Sequence, residues 1–164
     1  MKLDVIDAQL FRRTLGHYAS GITIVGGMVN ALPVGFPCQS FHSVSITPPL
    51  VSLSVMQSSS RWPKIRATGQ FSVSVLSDRQ RHISDNLARP AADTWAAIDW
   101  NITRDGNPII ASALIWLDCK LYAEHDAGDH VIVIGQVHDM SSIDSTDAKT
   151  PLLYFKGKYH QLAT

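Results

Sequence analysis

Apolar positions change period several times along the chain, and each change marks an element. Between Asp7 and Tyr18 they fall at Leu10, Phe11, Leu15 and Tyr18. Those three- and four-residue steps predict a short amphipathic helix, with Asp7 placed to cap its start. Ile22 to Val25 then reads as a buried strand of β-branched residues, closed by Gly26-Gly27. Gly35 to Ser45 and Leu50 to Met56 are the next strand-like runs. Thr47-Pro48-Pro49 between them requires a tight connection, because proline brings no amide hydrogen to a ladder.

After Met56 the sequence turns polar through Gln57-Ser58-Ser59-Ser60-Arg61, and Trp62-Pro63-Lys64-Ile65 starts a short helix with proline in its first turn. Phe71 to Leu76 alternates as a strand. Ser77-Asp78 begins a further helix through Leu87, with Ile83 and Leu87 on one face and Arg79, Arg81 and Asp85 on the other. The segment from Arg89 to Pro108 holds Trp95, Trp100 and Gly106 in a mostly irregular setting, read as a long excursion over the surface or over a partner subunit. Ile109 to Glu124 and His130 to Met140 are the longest strand candidates, joined through residues 125–129 by a hairpin connection. Leu152 to Phe155 and Tyr159 to Leu162 close the chain around Lys156-Gly157-Lys158. About seven short strands with a few peripheral helices predict a mainly β, α+β chain built on an antiparallel β-barrel.

Composition narrows the function classes. A chain of 164 residues that is 45% hydrophobic fits one domain, residues 1–164, with a real core. Fourteen basic residues balance fourteen acidic ones, so no electrostatic footprint for nucleic acid exists. Acids near the N-terminus and the lack of any 18-residue apolar run predict a soluble, cytoplasmic protein without membrane attachment. Cys38 and Cys119 are too few and too far apart for a disulfide framework or a four-ligand zinc site.

The stretch from Gly35 to Arg61 sets small and polar side chains on a strongly β-forming frame, which reads as the wall and floor of a ligand site. Pro37-Cys38-Gln39-Ser40 would present main-chain groups and small side chains to something flat; an irregular edge strand is the competing reading. Ser58-Ser59-Ser60-Arg61 offers hydroxyls, amides and a guanidinium suited to a phosphate, against the simpler reading of a polar helix cap. Gly128-Asp129-His130 is either a plain hairpin turn or a turn that sets His130 at the mouth of a site. His125, Asp126, Asp129 and His130 invite a metal reading, but hairpin alternation supplies no three-ligand set. No Gly-x-Ser-x-Gly elbow, phosphate-binding loop or dinucleotide fingerprint is present, so hydrolase and Rossmann chemistry fall away.

Taken in order, these features resemble the flavin reductase family, the small split-barrel reductases that supply reduced flavin to two-component monooxygenases. The likeness runs from Phe11-Arg12-Arg13 and Gly21-Ile22-Thr23-Ile24-Val25 through Gly35 to Ser45, Pro48-Pro49-Leu50-Val51, Ser58 to Pro63, Phe71 to Leu76 and Gly128-Asp129-His130. It closes on the run from Pro151 to Tyr159. The resemblance implies a split β-barrel flavin-binding fold, antiparallel and Greek-key-like, working as a homodimer with FMN or FAD in a groove near the subunit interface. It implies NADH or NADPH as co-substrate, hydride transfer to the flavin, and a flavin-dependent monooxygenase as recipient. Carried over by residue, Pro37, Cys38, Gln39 and Ser40 would line the flavin ring, with Ser45 in the same stretch. Ser58, Ser59, Ser60 and Arg61 would take the phosphate, Phe71 and Ser74 would border the groove, and His130 would lie beside the nicotinamide. The chain departs from the family pattern at Pro37 and Gln39, where threonine and a small residue are usual, at Arg61, where threonine or serine is usual, and at Ser74, where asparagine is common. Two other readings stay open: a split-barrel protein that keeps its flavin as carrier or sensor, and an oxidase acting on a small phosphorylated substrate.

Overall fold

The computed structural model describes residues 6–90, 94–144 and 147–163. Its main sheet comprises β2 (Thr23–Val29), β3 (Leu32–Cys38), β4 (His42–Ser45), β5 (Leu50–Met56), β6 (Gln70–Val75), β9 (Ile115–Ala127) and β10 (His130–Met140). These run antiparallel in the order β3-β2-β6-β9-β10-β5-β4. A small sheet joins β1 (Ser20–Gly21), β11 (Leu153–Phe155) and β12 (Lys158–His160), while β7 (Trp100–Ile102) pairs with β8 (Pro108–Ile110). Helices α1 (Ala8–Leu15), α2 (Trp62–Arg66) and α3 (Arg81–Leu87) lie outside the strands. This is the mainly β split barrel expected.

The seven-stranded sheet curls until its β3 end meets β5, and the seam is closed by a side chain instead of a ladder. Ser40 Oγ accepts from the Ser54 amide at 2.8 Å and donates to the Ser54 carbonyl at 3.1 Å. Inside, Val25, Leu53, Phe71, Val73, Cys119 and Val133 form one core. A second core of Ile22, Ile24, Leu76, Leu87, Trp95, Ile98, Ile110 and Leu152 draws on α3, β8 and the segment between α3 and β7.

Several boundaries differ from the sequence reading for identifiable reasons. The strand expected to close at Gly26-Gly27 runs through both as β2, because the glycines admit close neighbours. A Cβ at Gly27 would stand 2.8 Å from Ile65 Cγ2 of α2. The run from Gly35 to Ser45 is two strands, since residues 39–41 leave the ladder to bring Ser40 onto Ser54. Ile109 to Glu124 breaks at residues 111–114, where Ser112 adopts φ 59°, and β9 then continues to Ala127, leaving Gly128-Asp129 as the turn. The excursion after Arg89 packs on its own barrel: Trp95 and Ile98 are buried, and Trp95 meets Trp100 edge-on at 6.0 Å. Part of that segment, residues 91–93, lies outside the described residues.

Asp7 caps α1 as expected, accepting from the amides of Gln9 and Leu10. The apolar face of that helix stays out of the core, with Leu10 53% and Phe11 52% exposed. Among the described residues no helix is long and apolar enough to cross a membrane.

Candidate functional site

Alternation along β5 sends Val51, Leu53 and Val55 into the barrel and turns Ser52, Ser54 and Met56 outward. His130 pairs in register with Met56, so it shares that outer face. The end of β3 approaches from the other side of the seam, the loop after β5 turns beneath it, and Ala88 and Pro90 complete a rim. Together they frame a groove of about 610 Å³. Residues 37–40 and 58–61 line it together with His130, so the sequence-expected cluster comes together in space.

Ser45, Phe71 and Ser74 do not line it. Phe71 is buried against Trp62, ring centroids 5.6 Å apart, and Ser74 Oγ accepts from the Ile110 amide at 3.0 Å. Ser45 sits at the end of β4, opposite Leu50. Phe36, Ser54, Val55 and Met56 fall inside the Gly35 to Arg61 stretch read as wall and floor but were not singled out, and Ala88 and Pro90 lie outside it. Ser54 and Met56 were signalled by the period-two pattern of Leu50 to Met56. Ala88 and Pro90 carry no such signal, because only tertiary packing brings the end of α3 to this rim. A separate hollow of about 370 Å³ between residues 109–116 and residues 141–144, 147 and 149 contains none of the expected residues.

Local chemistry differs around the groove. Cys38 Sγ lies 3.2 Å from Ser40 Oγ, and burial pushes the thiol above its ordinary pKa, against the lowering effect of that hydroxyl. It is therefore a neutral wall, not a nucleophile. Ser59 Oγ accepts from the Trp62 amide at 3.1 Å just before α2, while Ser58 and Ser60 remain exposed. Arg61 Nη1 donates to the Gly35 carbonyl at 3.1 Å and to the Leu87 carbonyl, and Nη2 donates to the Arg89 carbonyl. Desolvation lowers its pKa. Three of five guanidinium N–H groups thus tie β3 to the chain leaving α3.

At the mouth, His130 Nδ1 and Asp129 Oδ1 are 2.7 Å apart. The hydrogen bond to His130 holds the Asp129 carboxyl below its usual range, and a carboxylate only accepts. Nδ1 therefore carries the proton in this pair, and the His130 ring lines the groove. Among the described residues no cluster of histidine, cysteine and carboxylate suits a metal ion.

A curled antiparallel barrel with a groove at its seam defines a class, and the flavin reductase like domain matches residues 15–163. The chain belongs to this family. It is 38% identical over 154 residues to the reductase subunit HsaB of a flavin-dependent monooxygenase from Mycobacterium tuberculosis, covering 94% of this chain and 82% of that protein. It is 37% identical over 131 residues to the FMN reductase (NADH) SmoA of Agrobacterium fabrum, covering 80% and 75%. The crystal structure of a nitrilotriacetate monooxygenase component B homologue from Mycobacterium thermoresistibile superposes with a TM-score of 0.90 at 38% identity, covering 94% of this chain and 86% of that one.

Proposed function

We propose that this chain is an NAD(P)H:flavin oxidoreductase that reduces FMN or FAD and passes the reduced flavin to a partner monooxygenase. The observation that carries the reading is the seam groove, in which the main-chain and small groups of residues 37–40 lie on one side and the serine loop on the other. That donor set fits a flavin. An apolar wall of Phe36, Pro37 and Met56 suits a flat ring, and the exposed hydroxyls of Ser58 and Ser60 suit a phosphate. The α2 segment spans only Trp62–Arg66, so its dipole adds little and the hydroxyls and loop amides carry the anion.

When bound, the flavin ring supplies the hydride acceptor, so the protein needs no nucleophile of its own. Pro37 and the seam hold the ring wall rigid. Asp129 fixes the His130 tautomer, and the ring lining the groove positions the nicotinamide amide. Cys38, kept protonated by burial, presents no competing charge. The name of the Agrobacterium relative supports NADH as donor. The exposed apolar face of α1, which includes Leu10, Phe11 and Leu15, supports a homodimer in which a second copy covers it.

The decisive assay mixes purified protein with NADH or NADPH and FMN or FAD and follows loss of nicotinamide absorbance. Fast turnover that requires added flavin is expected. Flavin binding without turnover by either nucleotide would refute the reductase reading and leave a carrier or sensor.

A further inference from the structure

Most polar side chains of the seam groove are already engaged by the fold. Ser40 Oγ is taken by both main-chain groups of Ser54, and Cys38 Sγ lies against that hydroxyl at 3.2 Å. Ser59 Oγ holds the Trp62 amide, and the Arg61 guanidinium holds three carbonyls. His130 stands at the mouth with Nδ1 on Asp129. Gln39 is different. It lines the groove and is exposed, and among the described residues its carboxamide has no hydrogen-bond partner.

Its neighbour on the same wall, Pro37, brings no amide hydrogen. The family pattern carries threonine and a small residue at these two positions. In this chain one departure removes a donor and the other supplies a donor and an acceptor together. Gln39 also borders a smaller hollow of about 300 Å³ with Phe41 and His42, so the side chain has space on both sides to align its amide.

We propose that Gln39 recognises the imide edge of the flavin ring, with Nε2 donating to the C4 carbonyl and Oε1 accepting from N3–H. The inference rests on the flavin reading of the groove. A carboxamide and an imide each present one donor and one acceptor side by side, so the two hydrogen bonds form in one plane. That pairing sets the rotation of the ring within its own plane and makes Gln39 a specificity-determining residue peculiar to this chain. FMN, FAD and riboflavin share the edge, so the contact is the same for all three.

Dissociation constants for FMN and 3-methyl-FMN, in which a methyl group replaces the imide hydrogen, are measured by flavin fluorescence with the wild type, Gln39→Ala and Gln39→Glu. A site built to hydrogen-bond an N–H rejects the analogue that lacks it. Wild type is expected to bind FMN about tenfold more tightly than the methyl derivative, roughly two neutral hydrogen bonds at the low end of their range. Gln39→Ala loses about that factor for FMN and binds the two flavins within about twofold of each other. Gln39→Glu weakens FMN at least as much, because its carboxylate only accepts and faces the C4 carbonyl. Both variants keep the wild-type Tm, as the side chain is exposed. A wild type that binds both flavins alike, or an alanine variant that still discriminates between them, overturns the proposal. A raised KM for NADH with unchanged FMN affinity also overturns it, moving the carboxamide to the nicotinamide amide. Binding of neither FMN nor FAD by the wild type defeats the flavin reading of the groove itself.

Discussion

Replacing Arg61 with alanine tests whether one side chain holds the groove's walls together. The guanidinium donates to carbonyls of Gly35, Leu87 and Arg89, which flank Phe36 on one wall and Ala88 and Pro90 on the other. A hydrogen bond from a charged donor contributes about 1.5–3 kcal/mol. The bond to Arg89 is at an exposed position, where water replaces it, so the two part-buried bonds set the loss. Two bonds at the low end give about 3 kcal/mol, and for a chain of this size that is a fall in Tm of roughly 6–12 °C. Arg61→Lys restores less than half, because an ammonium lacks the planar fork that spans separate carbonyls. Urea unfolding followed by tryptophan fluorescence gives the free energy, and hydrogen exchange at residues 86–90 reports the released rim. Riboflavin and FMN affinities separate the two roles open to this residue: a wall-holding arginine weakens both ligands alike, a phosphate ligand weakens FMN alone. A loss below about 0.5 kcal/mol, the range of an ordinary surface change, would refute the reasoning.

Three further outcomes are expected. Gly35→Ala places a Cβ 2.7 Å from both Trp95 Cζ2 and the Val25 carbonyl; the backbone neighbour has no room to yield, so thermal denaturation shows a cost of about 1–3 kcal/mol or more. Neither cysteine reacts with a thiol reagent at neutral pH until the chain unfolds, since burial raises both pKa values and, with the Asp118 charge beside it, pushes Cys119 to about 12. Because the folded value is the higher one, stability is whole below the ordinary thiol pKa and is lost between about pH 9 and 12, measurable by urea titration. Asp129→Asn leaves Tm unchanged, as the carboxylate is exposed, yet raises the KM for NADH about three- to tenfold by freeing the His130 ring. The Asp129 carboxyl is held below its usual range and its hold on His130 is lost only as pH falls through that depressed value, so the defect is constant above about pH 5.

Strand bounds were legible where alternation is uninterrupted and a turn ends it: Leu50 to Met56 and His130 to Met140 coincide with β5 and β10. The hairpin between β2 and β3 was not legible. Its two turn residues, Asn30 and Ala31, adopt φ 50° and 62°, and alanine gives no sign of a left-handed conformation. Gly26 and Gly27 read as a stop although they continue β2, since only the fold shows that α2 leans on the strand at Gly27. The same limit applies at Arg61. Residue type made it a phosphate candidate, but its partners Gly35 and Leu87 lie 26 positions away on either side, beyond any local pattern.

The groove is where it is because the barrel fails to close by ladder pairing. β3 ends at Cys38, whose carbonyl accepts from Thr23 Oγ1 at 2.8 Å, and the chain then leaves the sheet. Ser40 supplies both halves of the closure to Ser54 with one hydroxyl. A full ladder would have consumed the main-chain groups of residues 39–41; a single-serine seam leaves Gln39 and Ser40 lining the groove. Ser40 thus acts on any bound ring through position, and Gln39, exposed beside it, is the residue free to contact it. Ser40→Ala therefore removes two part-buried hydrogen bonds and widens the seam, so it is expected to weaken flavin binding and stability together, whereas Gln39→Ala weakens binding alone. Parallel measurement of Tm and flavin affinity separates them, and a Ser40→Ala protein with wild-type stability would show that the seam is held elsewhere.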